Sequence, residues 1–442
     1  MATRIESTTC AISGGGPAGI FLGLLLARAG IQTVVLEKHA DFLRDFRGDT
    51  VHASTLQVLD ELGLMEDFLR IPHRKVDRLG FATTDGRSAA FTTDGIHPRY
   101  PYIAMVPQWD LLNLLAERAR RYPNFRLLME SEVTGLIRGT APVAGTDNTA
   151  PVAGTENAGA VYGLRYRDAD GEHELRADLT VAADGRHSAL RAAAGLTPIE
   201  FGAPMDALWL RVSRESGGPE GIQGRIGEGK MAVAIDRGDN WQVAYLLPKG
   251  GYQRMRDAGI ETVRADLREL LPYLGGRIDE FDSWDRSAML RVAVNRLTRW
   301  YRPGLLFIGD AAHAMSPVGG VGINLAVQDA VAAANLLADD LRRVQRSGRH
   351  RPLPEALLAR VQRRRWAPTV ATQTLQRLLQ SQIIGRTLDA RTPPLNVLRA
   401  VAATPVLRKA VPRMLVVGLL PEHVRTPVAE PVPPARPEPS AT

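Results

Sequence analysis

A glycine-rich turn close to the N-terminus narrows the possible folds of this 442-residue chain more sharply than its composition does. The apolar residues 8–13 predict a short buried strand, and residues 17–29 predict a helix with proline in its first turn. A second apolar strand, residues 33–37, ends on an acid. The intervening turn has the pattern Gly-x-Gly-x-x-Gly, and this order predicts a βαβ unit that binds a dinucleotide.

The spacing of the glycines has a physical reason. Gly14 permits the tight turn, Gly16 lets the backbone approach a pyrophosphate, and Gly19 lets helix and strand pack closely. The helix N-terminus then faces the phosphates with free N–H groups and a positive dipole end. Glu37 can accept hydrogen bonds from a ribose diol. The pattern alone leaves both FAD and NAD open as the ligand.

Composition excludes several classes of function. Cys10 is the only cysteine, so a disulfide within the chain and a redox cysteine pair are both excluded, and we expect Cys10 to be a buried core residue. The sequence shows neither a signal-peptide pattern nor a metal-site pattern, and we predict a cytoplasmic protein. The net charge of +7 is spread over scattered arginines. We interpret it as a surface that attracts anionic cofactors rather than nucleic acid.

Two later motifs each follow an apolar strand. Asp184 and Gly185 follow residues 179–183, and taken alone this Asp-Gly pair indicates only a turn. Gly309 and Asp310 follow residues 305–308 and lead to a second glycine-rich loop that enters a long predicted helix. Such a loop offers backbone N–H groups and a helix dipole to an anion. By itself it could be a second phosphate cradle.

Taken in this order, the three motifs resemble those of the class A flavoprotein monooxygenases, the para-hydroxybenzoate hydroxylase family, over residues 8–341. The resemblance implies an α/β fold in which a Rossmann-like FAD-binding domain is interleaved with an antiparallel-sheet substrate domain, with helices at the C-terminus. It also implies FAD as the cofactor, NAD(P)H as the electron donor and O₂ as a co-substrate.

The resemblance implies roles for particular residues. Asp184 would serve both FAD and NAD(P)H, Asp310 would bind a ribityl hydroxyl, and Pro317 would lie beside the isoalloxazine, where oxygen reacts. The loop from Gly320 to Asn324 would contact the pyrimidine edge of the flavin. The full set of cofactor-binding candidates is Gly14, Gly16, Pro17, Ala18, Gly19, Glu37, Lys38, Arg47, Gln108, Asp184, Gly185, Gly309, Asp310, Pro317, Gly320, Gly322, Ile323 and Asn324.

Two of these candidates could have a structural role instead of binding the cofactor. Arg47 matches a family segment whose arginine contacts the cofactor, but it could be a surface ion-pair partner. Gln108 matches a position on the flavin chain, but it could be a polar residue at a helix N-terminus. Catalytic residues stay unassigned, and the flavin-proximal candidates are Pro317, Gly320 and Arg47. We expect His313 and His52 to be structural rather than catalytic.

The implied reaction begins with reduction of FAD by NAD(P)H. Oxygen then forms a flavin C4a-hydroperoxide, which hydroxylates an aromatic, phenolic or quinone-like small molecule. A related flavin halogenase or prenyl reductase, and a non-catalytic flavin or pigment carrier, remain as alternatives. Residues that could line the substrate pocket are aromatic or methionine, although such residues are also common in plain cores: Tyr100, Tyr102, Met105, Trp209, Met231 and Tyr245.

The remaining predictions concern domain boundaries. Residues 140–157 are a tandem repeat, which we interpret as a mobile hairpin insertion. Residues 54–57 resemble a helix capping box. Residues 395–420 are basic and apolar, so they form either a packed helical cap or a peripheral membrane contact. The predicted segments are an FAD-binding domain at 1–75, 106–195 and 291–345, a substrate domain at 76–105 and 196–290, a C-terminal helical segment at 346–425 and a disordered tail at 426–442. The oligomeric state stays open.

Overall fold

A computed structural model describes residues 4–43, 50–139, 159–215, 218–390 and 403–429. Arg47 and the tandem repeat at 140–157 lie outside the described residues. The strands are β1 (Ile5–Ser13), β2 (Thr33–Leu36), β3 (Thr50–Val51), β4 (Arg74–Val76), β5 (Arg78–Thr83), β6 (Ser88–Thr92), β7 (Ile103–Met105), β8 (Phe125–Leu128), β9 (Glu132–Arg138), β10 (Val161–Asp168), β11 (Gly171–Ala182), β12 (Ile199–Glu200), β13 (Met205–Ser213), β14 (Ile222–Ile226), β15 (Met231–Asp236), β16 (Asn240–Pro248), β17 (Ser287–Leu290), β18 (Asn295–Arg296), β19 (Tyr301–Arg302) and β20 (Leu305–Phe307).

The α-helices surround these strands. They are α1 (Pro17–Arg28), α2 (Ala53–Glu61), α3 (Met65–Arg70), α4 (Gln108–Arg120), α5 (Ala189–Ala193), α6 (Tyr252–Ala258), α7 (Ile260–Leu270), α8 (Val321–Ser347), α9 (Glu355–Leu379), α10 (Arg386–Leu388) and α11 (Pro405–Val416). A π-helical turn at Gln380–Gly385 joins α9 to α10.

The larger domain is built on a sheet whose central strands are parallel. Their order is β20–β11–β1–β2–β8, with β19 antiparallel at one edge and with β9 and β10 continuing from β11. Ser13 lies opposite both Ala182 and Leu36, and Ala182 lies opposite Phe307. Four neighbouring strands therefore end at the same edge of the sheet.

Helices α1 and α8 form the core that covers this sheet. Helix α1 is apolar on every side and its residues 18–27 are all buried, as expected of a helix enclosed by other elements. By length and composition the stretch Val318–Ser347 could span a membrane, but 83% of its most apolar window is buried inside the fold. It is therefore a core helix.

A seven-stranded sheet forms the second domain, in the order β17–β13–β16–β15–β14–β5–β6. All its pairs are antiparallel except β14 with β5, so the sheet is mainly antiparallel, as the resemblance implied. One face packs against α7. The other faces the glycine-rich loop that precedes α8. The two-domain α/β fold expected from the sequence is confirmed.

The C-terminal region differs in detail from the prediction. Helix α9 lies within the segment 346–425 that was predicted to be helical, and it continues through Pro368 without a break. The tail predicted to be disordered from residue 426 is fixed at its start, because Arg28 donates to the Thr426 carbonyl (3.1 Å) and the Ala429 N–H donates to the Arg28 carbonyl (2.8 Å). These bonds satisfy the Thr426 carbonyl and the Arg28 carbonyl in the last turn of α1.

Candidate functional site

The ends of the four neighbouring strands bring the sequence motifs together. Gly14 follows β1, Glu37 follows β2, Asp184 lies two residues beyond β11 and Gly309 lies two residues beyond β20. In open α/β sheets, ligands bind in the crevice outside the carboxyl ends of the parallel strands. Motifs far apart in sequence thus form one candidate site.

In the first glycine turn, two of the three glycines have no room for a side chain, whereas the third has free space beside its backbone. Gly14 has a φ of 104°, and a Cβ there would lie 2.4 Å from the Ala183 carbonyl oxygen. A Cβ on Gly19 would lie 1.9 Å from the Gly14 carbonyl oxygen. A Cβ on Gly16, the N-cap of α1, would meet no atom within 4 Å. The open backbone at Gly16 leaves room for a phosphate at the helix N-terminus.

Glu37 is tied to this turn. Its side chain is buried, Oε2 accepts from the Gly15 N–H at 2.9 Å, and Oε1 accepts from the His39 N–H at 3.1 Å. Each carboxylate oxygen can accept a further bond, so the same group can bind a ribose hydroxyl. Lys38 beside it is exposed, and Gln108 is half-buried at the first residue of α4.

Asp184 and Asp310 lie on the two turns that follow β11 and β20. Asp184 Oδ2 accepts from the Leu190 N–H at 3.3 Å, while Oδ1 is buried without a partner in the described part of the chain. Burial raises the pKa of Asp184 above its ordinary value, although Ser188 acts in the opposite direction. Arg186 Nη2 lies 3.6 Å from Asp310 Oδ2, and the Asp310 side chain is 29% exposed. Both aspartates therefore have acceptor capacity for a polyhydroxylated ligand.

The Gly309 turn is hydrogen-bonded to Asp329, a residue that lies outside the three sequence motifs. Asp329 on α8 is fully buried, and its Oδ2 accepts from the Gly309 N–H at 3.0 Å and lies 2.6 Å from His313 Nε2. Arg365 Nε on α9 lies 3.1 Å from its Oδ1. Burial by itself raises the pKa of Asp329, but His313 and Arg365 outweigh burial and lower that pKa below its ordinary value. An acid within the apolar N-terminal half of α8 was the only sequence signal for this residue.

The second glycine loop begins after Pro317. Gly319 and Gly320 have φ values of 78° and 63°, and Gly320 is the N-cap of α8. The Thr50 hydroxyl donates to the Gly320 carbonyl at 2.9 Å, and a Cβ on Gly320 would lie 2.4 Å from that hydroxyl. Gly322 and Ile323 are half-buried in the first turn of α8. First-turn N–H groups of a helix have no partner within the helix and can bind an anion.

The capping box predicted at residues 54–57 is wrong. Helix α2 begins at Ala53 with His52 as its N-cap, and the hydroxyls of Ser54 and Thr55 both donate to Asn324 Oδ1 at 2.8 Å. The same hydroxyls that suggested a cap therefore join α2 to α8. The Asn324 side chain, expected at the flavin edge, has its oxygen committed to this junction.

The six candidate pocket residues do not lie together. Trp209 and Met231 belong to the apolar cluster on the sheet face toward Val318. Tyr245 is on the opposite face, where its hydroxyl donates to Asp266 Oδ2 at 2.6 Å, so it does not belong to the candidate pocket. A strand alternates its faces, and only the packing of α7 shows which face is covered. The remaining three lie in or near the cluster around β7: Tyr100, Tyr102 and Met105.

These features fit an FAD dinucleotide. The open backbone at Gly16 suits a pyrophosphate, and the free acceptor of Asp184 and the half-open carboxylate of Asp310 suit hydroxyl groups. Among the described residues, no group of three or more His, Cys, Asp or Glu side chains is placed to hold a metal ion.

Comparison with known proteins gives the same assignment. Residues 7–351 match the family model described as an FAD binding domain. The chain is 32% identical over 415 residues to 6-methylpretetramide 4-monooxygenase of Streptomyces rimosus, covering 92% of each protein. It is 26% identical to para-nitrophenol 4-monooxygenase of a Pseudomonas strain, covering 74% of this chain and 76% of that protein.

A solved structure supports the fold. The anhydrotetracycline hydroxylase of Streptomyces rimosus superimposes with a TM-score of 0.67 at 22% identity, covering 93% of this chain and 76% of that one. The family match spans most of the chain and includes all three motifs. The protein therefore belongs to the FAD-binding family of class A flavoprotein monooxygenases, as the order of its motifs had indicated.

Proposed function

We propose that this enzyme uses NAD(P)H and O₂ to hydroxylate a fused-ring aromatic compound that carries phenol or quinone oxygens. The observation that supports this most is the similarity, over 92% of both chains, to a monooxygenase whose name gives 6-methylpretetramide as its substrate. For each C–H bond converted to C–OH, one NAD(P)H and one proton are consumed. The second oxygen atom of O₂ leaves as water.

FAD, when bound, supplies the electron transfer and the oxygen activation. The chain's own part is to hold and orient it. The turn around Gly16 would bind the pyrophosphate and Asp310 a ribityl hydroxyl, as the resemblance implies. The loop from Pro317 and the first turn of α8 would face the flavin ring with N–H groups and the positive end of a helix dipole. Such fixed donors stabilise negative charge that develops on a bound group.

The substrate would lie between this loop and the apolar face of the seven-stranded sheet. Phe91, Met231 and Leu246 on that face are buried, so the wall is apolar and limits the entry of water. Trp209 offers a polar contact, because its Nε1 is buried without a partner among the described residues. An indole N–H can only donate, which suits a phenol, enol or quinone oxygen on the substrate.

The two ends of the C-terminal helix α11 differ in burial. Val416 and Val417, at its end, are buried against Val76 and Met105, whereas Val406 near its start is 73% exposed. We propose that α11 is a packed cap at its C-terminal end. A peripheral membrane contact through its exposed start stays a hypothesis, and a cytoplasmic location stays the expectation.

The function is tested with purified protein, FAD, NADPH and a panel of fused-ring phenols and quinones. We expect a yellow protein whose NADPH oxidation rises when the right compound is added. The product should carry one atom from ¹⁸O₂. Flavin reduction without any oxygenated product would favour a reductase, and a bound flavin that NADPH does not reduce would favour a carrier. A halogen atom in the product would favour a halogenase.

The Asp310→Ala variant is expected to retain FAD less well. Loss of a charged acceptor for a ribityl hydroxyl costs about 2 kcal/mol, which corresponds to a roughly thirtyfold higher dissociation constant for FAD. Fluorescence titration of the apoprotein measures it. Asp282→Ala is the control, because Asp282 is 62% exposed in a surface pair with Arg286. Equal FAD affinities in both variants would remove Asp310 from the site.

A further inference from the structure

Helix α9 and the π-helical turn that follows it carry three buried glutamines on one face. Gln373, Gln376 and Gln380 are at most 1% exposed. Their spacings of three and four residues place them one above another on the helix. Long polar side chains are rarely buried completely, and when they are, their polar atoms require partners. The glutamines face a segment of irregular backbone.

That segment is residues 314–318, which lead into the second glycine loop. Gln373 Nε2 donates to the carbonyls of Asn295 at 2.9 Å and Ala314 at 3.2 Å. Gln376 Nε2 donates to the carbonyls of Ser316 at 3.0 Å and Val318 at 2.7 Å. Gln380 Nε2 donates to the Ser316 hydroxyl. The glutamines thus form hydrogen bonds to every second residue of the segment, at positions 314, 316 and 318.

The side-chain amide of Gln376 can make its two hydrogen bonds only with Nε2 toward residues 316 and 318. Its Nε2 points at two carbonyl oxygens, and reversal of the amide would place Oε1 against the same two acceptors. Oε1 is buried without a partner in the described part of the chain, so no bond on that side competes. Gln376 is therefore a double donor dedicated to residues 316 and 318.

These bonds set the direction of the loop's own donors. A trans peptide is planar, with its C=O and N–H pointing in opposite directions. Because the Val318 carbonyl points at Gln376, the N–H of Gly319 points to the other side of the loop, away from α9. Gly319 and Gly320 then turn the chain with positive φ into α8. A change in the orientation of the peptide after Val318 would therefore change the conformation of this turn directly.

We propose that Gln376, supported by Gln373 and Gln380, is a positioning residue that sets the flavin-facing loop from Pro317 to Gly320 from the side opposite the cofactor. This inference rests on the proposed placement of the flavin at that loop. It assigns a role in the cofactor site to α9, which begins at Glu355 and so lies beyond the family match at residues 7–351.

The test compares Gln376→Leu with Gln362→Leu. Gln362 is on the same helix, and it also makes two backbone bonds, to Thr298 O at 2.8 Å and from Trp300 N at 3.0 Å, but in a different loop. If the loop donors stabilise the charge that flavin gains on reduction, Gln376→Leu should weaken binding of reduced FAD about tenfold more than binding of oxidised FAD. That ratio corresponds to a reduction potential lower by about 30 mV for two electrons. Peroxide released per NADPH oxidised should also rise.

Gln376→Glu provides the second variant. When protonated it keeps one O–H donor at the same position, so its potential should lie between those of the wild type and Gln376→Leu near pH 6. It should fall toward the leucine value as pH rises and the carboxyl group ionises. This pH step should be absent from the wild type.

The outcomes separate the two proposals. Wild-type protein that fails to bind FAD overturns the proposed function itself. Wild-type protein that binds FAD, with a Gln376→Leu potential and visible flavin spectrum equal to those of Gln362→Leu, overturns only the role of α9. If Gln376→Leu does not fold, the position of Gln376→Glu relative to the wild type decides: an unchanged potential at every pH overturns the inference.

Discussion

Replacing Asp329 by alanine is expected to lower the free energy of unfolding by about 3–5 kcal/mol. Arg365 is 1% exposed. Without Asp329 its remaining partners among the described residues would be the Glu422 carboxylate, whose Oε1 lies 3.5 Å from Nη1, and the Leu420 carbonyl. The Gly309 N–H and the ring of His313 would lose their acceptor in the same step. Because the Gly309 turn carries Asp310, FAD retention should weaken as well.

Urea denaturation in the presence and absence of FAD measures both effects. Asp339→Ala is the matched control, because Asp339 is an exposed aspartate on the same helix and its loss should change stability by less than about 0.5 kcal/mol. Asp329→Asn keeps an acceptor for Gly309 but not the charge, and we expect it to lie between the two. Equal midpoints for Asp329→Ala and Asp339→Ala would contradict the structural role of Asp329.

The contrast between Gly14 and Asp329 shows what the sequence could predict. The glycine turn is a local pattern whose geometry follows from steric rules at each position, so its form could be expected before the structure was known. The partners of Asp329 lie 16, 20 and 36 residues away, two of them on the Gly309 turn and one on α9. Its sequence signal, an acid in an apolar helix, indicates a buried charge but not its partners.

The errors have the same origin. Ser54 and Gln57 match a capping box, yet the Ser54 hydroxyl bonds instead to Asn324, 270 residues away. Tyr245 lies on β16, but the alternation of side chains along a strand cannot say which face meets the cofactor. The glutamines of α9 have no motif at all, because any polar residue is ordinary on a helix until its face is known to be buried. Long-range packing decided each case.

Acid should destabilise this protein through His52, before most carboxylates titrate. His52 is 0% exposed and links α2 to α11, with Nδ1 3.0 Å from the Leu415 carbonyl. Burial lowers the pKa of His52 from 6.5 to about 4, although the Leu415 carbonyl acts in the opposite direction. The unfolded chain therefore binds a proton on this ring at a higher pH than the folded chain does. The stability that neutral His52 contributes is fully present above pH 6.5 and is lost as the pH falls toward 4. This loss amounts to about 3 kcal/mol of the free energy of unfolding.

The His52→Asn variant tests this assignment. Its amide can still donate to the Leu415 carbonyl, but it has no group that titrates in this range. The variant should be less stable than the wild type at pH 7, because the smaller side chain leaves a cavity. Between pH 7 and pH 4, however, its free energy of unfolding should fall by about 3 kcal/mol less than that of the wild type. His73→Asn is the control, since the His73 ring nitrogen also contacts a backbone carbonyl, Ile71 O at 2.7 Å, but at a half-exposed position. If the three proteins lost stability in parallel over this range, the acid sensitivity would arise elsewhere. If only His52→Asn is flatter, the acid sensitivity resides in His52, at the junction between α2 and α11.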